Sequence, residues 1–271
     1  MLTQLTLFLL VRLRYIQNYK QRLSMKNVGQ SNERNKEYSK LFSREKLIQK
    51  LVKNKTPVLF DIGAHHGESV QYLKELFEKS TIYSFEPDPD SFQILSSKAV
   101  KGVFYYNLAL SDANGRSIFY RNKVSHTNSL LKVNLNSEDS IGIAAAIHND
   151  DKQYMSEFNL EFDVNTVTLD SFVKINLIEN VDLLKIDVQG AESKVLNGGK
   201  EILKKTTVVI LEISFFDYYE QQTSFLDVEL LLCPLGFKLY SISEISNNPM
   251  NGRTDWAEVI YVNNNLLASE Y

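Results

Sequence analysis

Residues 57–70 read PVLFDIGAHHGESV: an apolar run, an acid at Asp61, glycines at Gly63 and Gly67 around a histidine pair, then the start of an amphipathic stretch. That is the pattern of a buried strand turning directly into a helix. Glycine at such a turn lets backbone N–H groups approach a bound molecule. The helix start adds a partial positive charge there. Working outward, further strands are expected near Thr81 to Glu86, Val103 to Ala109, Val181 to Val188, Thr207 to Ile213, Phe237 to Ile242 and Trp256 to Val262, after the first at Val58 to Ile62. Helices fit between them over Glu68 to Phe77, Asp90 to Lys98, Ala191 to Lys204 and Leu226 to Leu232. VDLLKIDV and TTVVILEI are nearly continuous hydrophobic runs, as parallel strands covered on both faces are. A doubly wound α/β sheet follows, with its ligand site beyond the carboxyl ends of the strands where the strand order reverses.

The 271 residues, 44% of them hydrophobic, suit one large α/β domain with added pieces. Charged residues make up 23% and the net charge is −3, with no basic tract interleaved with aromatics, so nucleic acid is not an expected partner. Cys233 is the single cysteine, which excludes an intramolecular disulfide and a cysteine-based zinc site and suits a reducing cytoplasm.

Residues 1–54 read as an N-terminal helical extension and 55–271 as the main domain. The opening MLTQLTLFLLVRLRYIQNYKQRLSMK has neither a leading positive charge nor a small-residue cleavage site, so no secretory signal is expected. Its apolar part falls short of the about 20 residues that span a bilayer. Leu2, Leu5, Leu9, Leu13 and Ile16 recur at helical spacing, and Arg12, Arg14, Lys20, Arg22 and Lys26 form a basic tail. Two readings stand for residues 1–26: a helix docked on the same chain or on a second subunit of a homodimer, or an interfacial helix making peripheral contact with an anionic membrane face. SNERNKEYSK reads as a polar joint, and LFSREKLIQKLVKN as a helix closing before Pro57. Between Arg121 and Phe162 the periodicity lapses, as it does in lids and binding loops.

The acids at strand tips carry the chemistry. Glu86 stands about twenty residues beyond the glycine turn, where a carboxylate accepts both ribose hydroxyls of an adenosine, and Pro87 stops the strand behind it. A dinucleotide site would carry glycine in place of His65 and an uncharged strand end. Asp61 repels a pyrophosphate but suits an ammonium, which favours S-adenosylmethionine over a nicotinamide cofactor. Farther on, period-two alternation puts Lys185 and Asp187 on one strand face. A lysine in such an apolar strand needs a partner, and Asp187 or Glu192 is available. The next strand is expected to end in Glu212.

FDIGAHHGESVQYL, IYSFEPDPDSFQIL, NLALSD, TVTLDSF, LLKIDVQGAESKVLNGG and VILEI, in this order over Pro57 to Ser214, resemble the FkbM-type methyltransferases of the class I S-adenosylmethionine-dependent fold. The resemblance implies a Rossmann-like sheet of seven strands, one antiparallel, and O-methylation of a small-molecule or glycan acceptor, mostly at sugar hydroxyls. It implies that Asp61, Gly63 and Gly67 hold the methionine end, Glu86 the ribose, and Asn107 with Asp112 the adenine side, with Ala64, Ser69 and Pro87 as further cofactor-binding residues. Asp187 would face the methyl group and the acceptor. It is the first choice of base, ahead of Glu212, His65 and His126. His66, His126 and His148 also read as ordinary loop histidines, and His65–His66 stands where the family usually has an asparagine or a small residue. No metal is expected, although Asp187 and Glu212 are a carboxylate pair able to hold a divalent ion. A non-catalytic partner protein built on the same fold is the other alternative.

Overall fold

The computed structural model describes residues 31–137, 157–249 and 251–267. The N-terminal apolar stretch and residues 138–156 of the Arg121–Phe162 insertion, His148 among them, lie outside the described residues. The chain divides into two compact units, Met1–Ile48 and Gln49–Tyr271.

In the first unit, SNERNKEYSKL forms an exposed helix, α1 (Ser31–Leu41), where the sequence suggested a joint. Local contacts support it: Ser39 Oγ donates to the Asn35 carbonyl at 2.9 Å, and the Tyr38 and Phe42 rings lie 5.4 Å apart. The helix α2 (Arg44–Leu51) carries the chain onward. No helix among the described residues is long and apolar enough to cross a membrane.

The second unit is built on β1 (Val58–Ile62), whose last four residues are buried. On one side it pairs in parallel with β2 (Thr81–Phe85), which pairs with β3 (Val103–Tyr106). On the other side lie β7 (Val181–Ile186) and β8 (Thr206–Ser214), also parallel. The antiparallel β10 (Thr254–Asn263) and the edge strand β9 (Phe237–Asn247) complete the order β3-β2-β1-β7-β8-β10-β9. Seven strands with only β10 reversed is the expected Rossmann-like arrangement, and the order turns back between β1 and β7. That places the switch point at Ile62, Gly63 and Asp187.

Helices cover the sheet where their apolar residues dictate. In α3 (Glu68–Leu76), Val70 and Leu73 are buried. The helix α4 (Pro89–Ser97) starts on Asp88, whose side chain accepts the Asp90 and Ser91 amides, with Pro89 at the first position, where a missing N–H costs nothing. Thr168 caps α5 (Leu169–Ile175), and Phe172 from that helix packs edge-to-face on Phe85 in the main core, with the ring centroids 4.8 Å apart. A reciprocal cap between Ser224 and Asp227 opens α8 (Phe225–Leu232).

Three further local expectations differ from the structure. The single helix expected over Ala191 to Lys204 is two, α6 (Glu192–Asn197) and α7 (Lys200–Leu203). A Cβ on Gly198 would fall 2.1 Å from the Ser111 carbonyl oxygen, so the chain breaks there to pass close to that backbone. The expected strand over Val103 to Ala109 stops at Tyr106, and Ala109–Leu110 forms β4 in a separate three-stranded sheet with β6 (Leu160–Val167) and β5 (Gly115–Arg121), in the order β4-β6-β5. Finally, β8 runs on to Ser214, so Glu212 sits within the strand, where it pairs in register with Glu258 of β10.

Candidate active site

A cavity of about 500 Å³ opens at the carboxyl ends of β1, β2, β7 and β8, within the range of small-molecule sites. Its walls include Gly63, His65, Glu86, Asp187 and Glu212, with Phe119, Phe216, Tyr218, Tyr219 and Trp256 as aromatic lining.

The turn after β1 is held from inside the protein. The Asp187 amide donates to the Ile62 carbonyl at 2.9 Å, and the Phe85 carbonyl accepts the amides of Gly63 at 3.0 Å and Ala64 at 2.9 Å. The tips of three strands are thereby tied together. Gly63 has φ 82°, and a Cβ there would lie 1.8 Å from the Asp187 carbonyl oxygen, so only glycine fits. His65 also adopts a left-handed φ of 46° and donates its amide to Glu86 Oε2 at 2.8 Å. The Gly67 amide goes to the Ala64 carbonyl at 2.7 Å. The amides of residues 63, 64, 65 and 67 are therefore engaged within the chain. The glycine freedom read from the sequence as room for a ligand serves strand and helix packing at these positions.

Glu86 is buried at the tip of β2, and its other oxygen accepts the Asp88 amide at 2.8 Å. Burial outweighs these two hydrogen bonds and pushes its carboxyl up to about 7. Asp88 also anchors the small sheet: Arg121 Nε and Nη2 reach its two oxygens at 2.9 and 2.8 Å, and Asn128 Nδ2 donates to Oδ2 at 2.9 Å. This bidentate pair holds the Ser125–Thr127 turn at the cavity wall, where Ser125 Oγ meets His65 Nε2 at 2.8 Å. Burial, followed by the neighbouring His66, lowers the His65 pKa.

A row of polar contacts runs inward from the cavity. Asp187 accepts from Gln189 Nε2 at 2.8 Å on one oxygen and from Lys185 Nζ at 3.2 Å on the other. Lys185 lies 3.8 Å from Asp61 Oδ1, an oxygen with no hydrogen-bond partner, while Ser69 Oγ donates to Asp61 Oδ2 at 2.7 Å. Burial alone would depress the Lys185 ammonium, but Asp187 and Asp61 overcome it and hold the pKa above its usual value. For Asp61, burial wins over the ammonium and the Ser69 bond, and its carboxyl rises. At the other end, the Tyr219 hydroxyl lies 3.1 Å from Gln189 Oε1 and 2.9 Å from the Thr127 carbonyl. Burial, with Asp187 and Glu192 nearby, pushes Glu212 up to about 8. Burial likewise brings Glu192 to about 7, against the Gly190 amide that donates to it at 3.0 Å.

Of the residues singled out in the sequence, Gly63, His65, Glu86, Pro87, Asp187, Glu212 and His126 meet at this cavity. Asp61 and Ala64 are buried behind it, Gly67 packs on Leu95, and Ser69 is bonded to Asp61. Asn107 donates to the carbonyls of Glu86 at 2.8 Å and Pro87 at 3.0 Å, so it shapes the turn that carries Glu86. Asp112 lies away from the lining, accepting from Ser111 Oγ at 3.0 Å and standing 4.0 Å from Lys194. Sequence reasoning did not single out Gln189, Ser125, Tyr219, Phe216, Tyr218 or Trp256. FFDYY directly after β8 was the available signal, a crowd of aromatics at a strand tip.

The family model for the FkbM methyltransferase domain matches residues 61–239. Among curated proteins, the 2-O-methyltransferase NoeI of Sinorhizobium fredii is 30% identical over 182 residues, 65% of this chain and 70% of its own. The hexuronic acid methyltransferase AglP of Haloferax volcanii is 26% identical over 58% of this chain and 55% of its own, and Methyltransferase 1 of Beauveria bassiana 29% identical over 52% and 57%. The chain thus spans little more than half the length of these last two. A solved FkbM methyltransferase from Methylobacillus flagellatus superposes with a TM-score of 0.44 at 12% identity, over 76% of this chain and 44% of that one. With the family model matching from the acid of β1 into β9, this chain belongs to the FkbM methyltransferase family.

Proposed function

We propose that the protein is an O-methyltransferase that uses S-adenosylmethionine to methylate a hydroxyl of a sugar in a glycan, glycolipid or related metabolite. The observation that carries this reading is the convergence of Glu86, Asp187, Glu212 and an aromatic wall on one cavity.

The donor set fits the cofactor. Each Glu86 oxygen accepts one amide, and a carboxylate accepts about four hydrogen bonds, which leaves capacity for a ribose diol. The turn amides already used within the chain leave no cradle at residues 63 to 65 for a pyrophosphate, which weighs against a nicotinamide dinucleotide. Asp61 is wholly buried, so its charge acts on the cavity through Lys185, and Asp187 is the carboxylate that faces a cationic ligand. When bound, S-adenosylmethionine supplies an electrophilic methyl group on a sulfonium.

The protein's own part is to orient the acceptor oxygen and remove its proton. With a pKa of about 8, Glu212 holds its proton near neutral pH, so it donates a hydrogen bond and positions the acceptor. Asp187, fixed on both oxygens by Lys185 and Gln189, takes the proton. Phe216, Tyr218 and Trp256 offer apolar faces against which a sugar ring packs. The names of two relatives, a 2-O-methyltransferase and a hexuronic acid methyltransferase, support a sugar hydroxyl as the acceptor class.

The test is transfer of labelled methyl from S-adenosylmethionine to a panel of nucleotide sugars, lipid-linked sugars and uronic acids. Incorporation into at least one panel member is expected. Cofactor binding without transfer to any sugar removes the acceptor class, and absence of cofactor binding removes the whole reading.

A further inference from the structure

The histidine pair that departs from the family pattern takes no part in the chemistry above: His65 lines the cavity, and His66 stacks on it. We propose that His65, His66 and Glu68 form a binding site for a zinc-class transition metal at the cavity rim. One ligand atom from each lies within 4.8 Å of the others. Two imidazoles and a carboxylate are a set that zinc uses with a fourth position left open.

The geometry around His65 prepares it as a ligand. Its Nε2 meets Ser125 Oγ at 2.8 Å, and in the tautomer that donates this bond the lone pair sits on Nδ1. That Nδ1 faces Glu68 Oε2 at 3.9 Å, against about 3.3 Å between two ligands of a tetrahedral zinc. A metal-bound histidine typically donates its other ring N–H to a fixed acceptor in this way. The His66 ring stacks on His65 at 3.7 Å, and the Glu68 side chain is 70% exposed, so both complete the site by side-chain rotation with the backbone in place. The left-handed backbone of His65 is already locked by its amide bond to Glu86. A metal on His65 therefore stiffens the turn beneath Glu86, which couples metal occupancy to the cavity.

The experiment titrates zinc chloride into the untagged full-length protein against a chromogenic chelator. One equivalent per chain is expected to bind. His66→Ala and Glu68→Gln should each weaken binding by at least about 10-fold, and Ser125→Ala, which removes no ligand, by about 10- to 100-fold. X-ray absorption at the zinc edge should show two imidazoles at about 2.0–2.1 Å. Equal affinity in the His66→Ala/Glu68→Gln double variant and the wild type overturns the proposal. So does an absorption spectrum without two imidazoles, or an unchanged affinity in Ser125→Ala.

Discussion

Replacing Lys185 by methionine removes the one cation bridging Asp61 and Asp187 while keeping the volume of the side chain. Asp187 is about a third exposed, so water screens it and its share of the loss is small. Asp61 is wholly buried, and its Oδ1 has no hydrogen bond and only the Lys185 ammonium beside it, so it carries the effect. Breaking a buried pair in this way costs about 3–5 kcal/mol, because a charge is left uncompensated. At about 2–4 °C per kcal/mol for a domain of this size, the melting temperature should fall by about 6–20 °C. The double variant Asp61→Asn/Lys185→Met should recover most of that, since asparagine still accepts from Ser69. The pH dependence has a definite sign. The Asp61 carboxyl already stands above its ordinary value of 3.8 and rises further once the ammonium is gone. A carboxyl with a raised folded pKa binds an extra proton in the native state, so its contribution is full below 3.8 and is lost as pH rises through the folded value. The Lys185→Met deficit should therefore shrink from pH 8 toward pH 4. Denaturant unfolding followed by the fluorescence of Trp256, the single tryptophan, measures all of this. A single variant within about 1 kcal/mol of wild type at pH 7, or a double variant no more stable than the single, would refute the reasoning.

Glu86→Ala should weaken S-adenosylmethionine binding by about 1.5–3 kcal/mol in calorimetry, the range for hydrogen bonds to a charged group; unchanged affinity in a folded variant removes the ribose assignment. Asp187→Asn should lower turnover by about two to four orders of magnitude with little change in cofactor affinity, and near-normal turnover moves the base elsewhere. Glu212→Gln tests the raised carboxyl through stability. The wild-type contribution is full below 4.5 and lost as pH rises through about 8, so the variant should gain stability relative to wild type as pH goes from 5 to 9, and a constant difference would contradict it.

The main sheet was legible in the sequence because its central strands are buried on both faces. VLFDI and VDLLKI leave no room for another reading, and β1 falls at Val58–Ile62 as expected. The acids at strand tips followed from the same pattern, and Glu86 and Asp187 stand directly after β2 and β7. The small sheet was not legible, because GRSIFYR and LEFDVNTV are about half exposed and their partners lie roughly 40 to 50 residues apart across the insertion. Gln189 and Tyr219 escaped notice for a related reason. Their role rests on a contact between two loops 30 residues apart, and neither loop has a periodicity to read. The Gly198–Gly199 break depended on the Ser111 carbonyl, a neighbour that only the tertiary fold supplies. Asp61 is a different case. The sequence placed a charge at the right strand end but could not tell that Lys185, aligned with it on β7, would stand beside it.

Crystallographic difference density for S-adenosylhomocysteine soaked into the protein tests the central claim most directly. The account predicts density in the cavity between β1, β2 and β7, with the ribose hydroxyls on the Glu86 carboxylate and the sulfur facing Asp187 and Glu212. Density elsewhere on the molecule, or a ribose that bypasses Glu86, would contradict it.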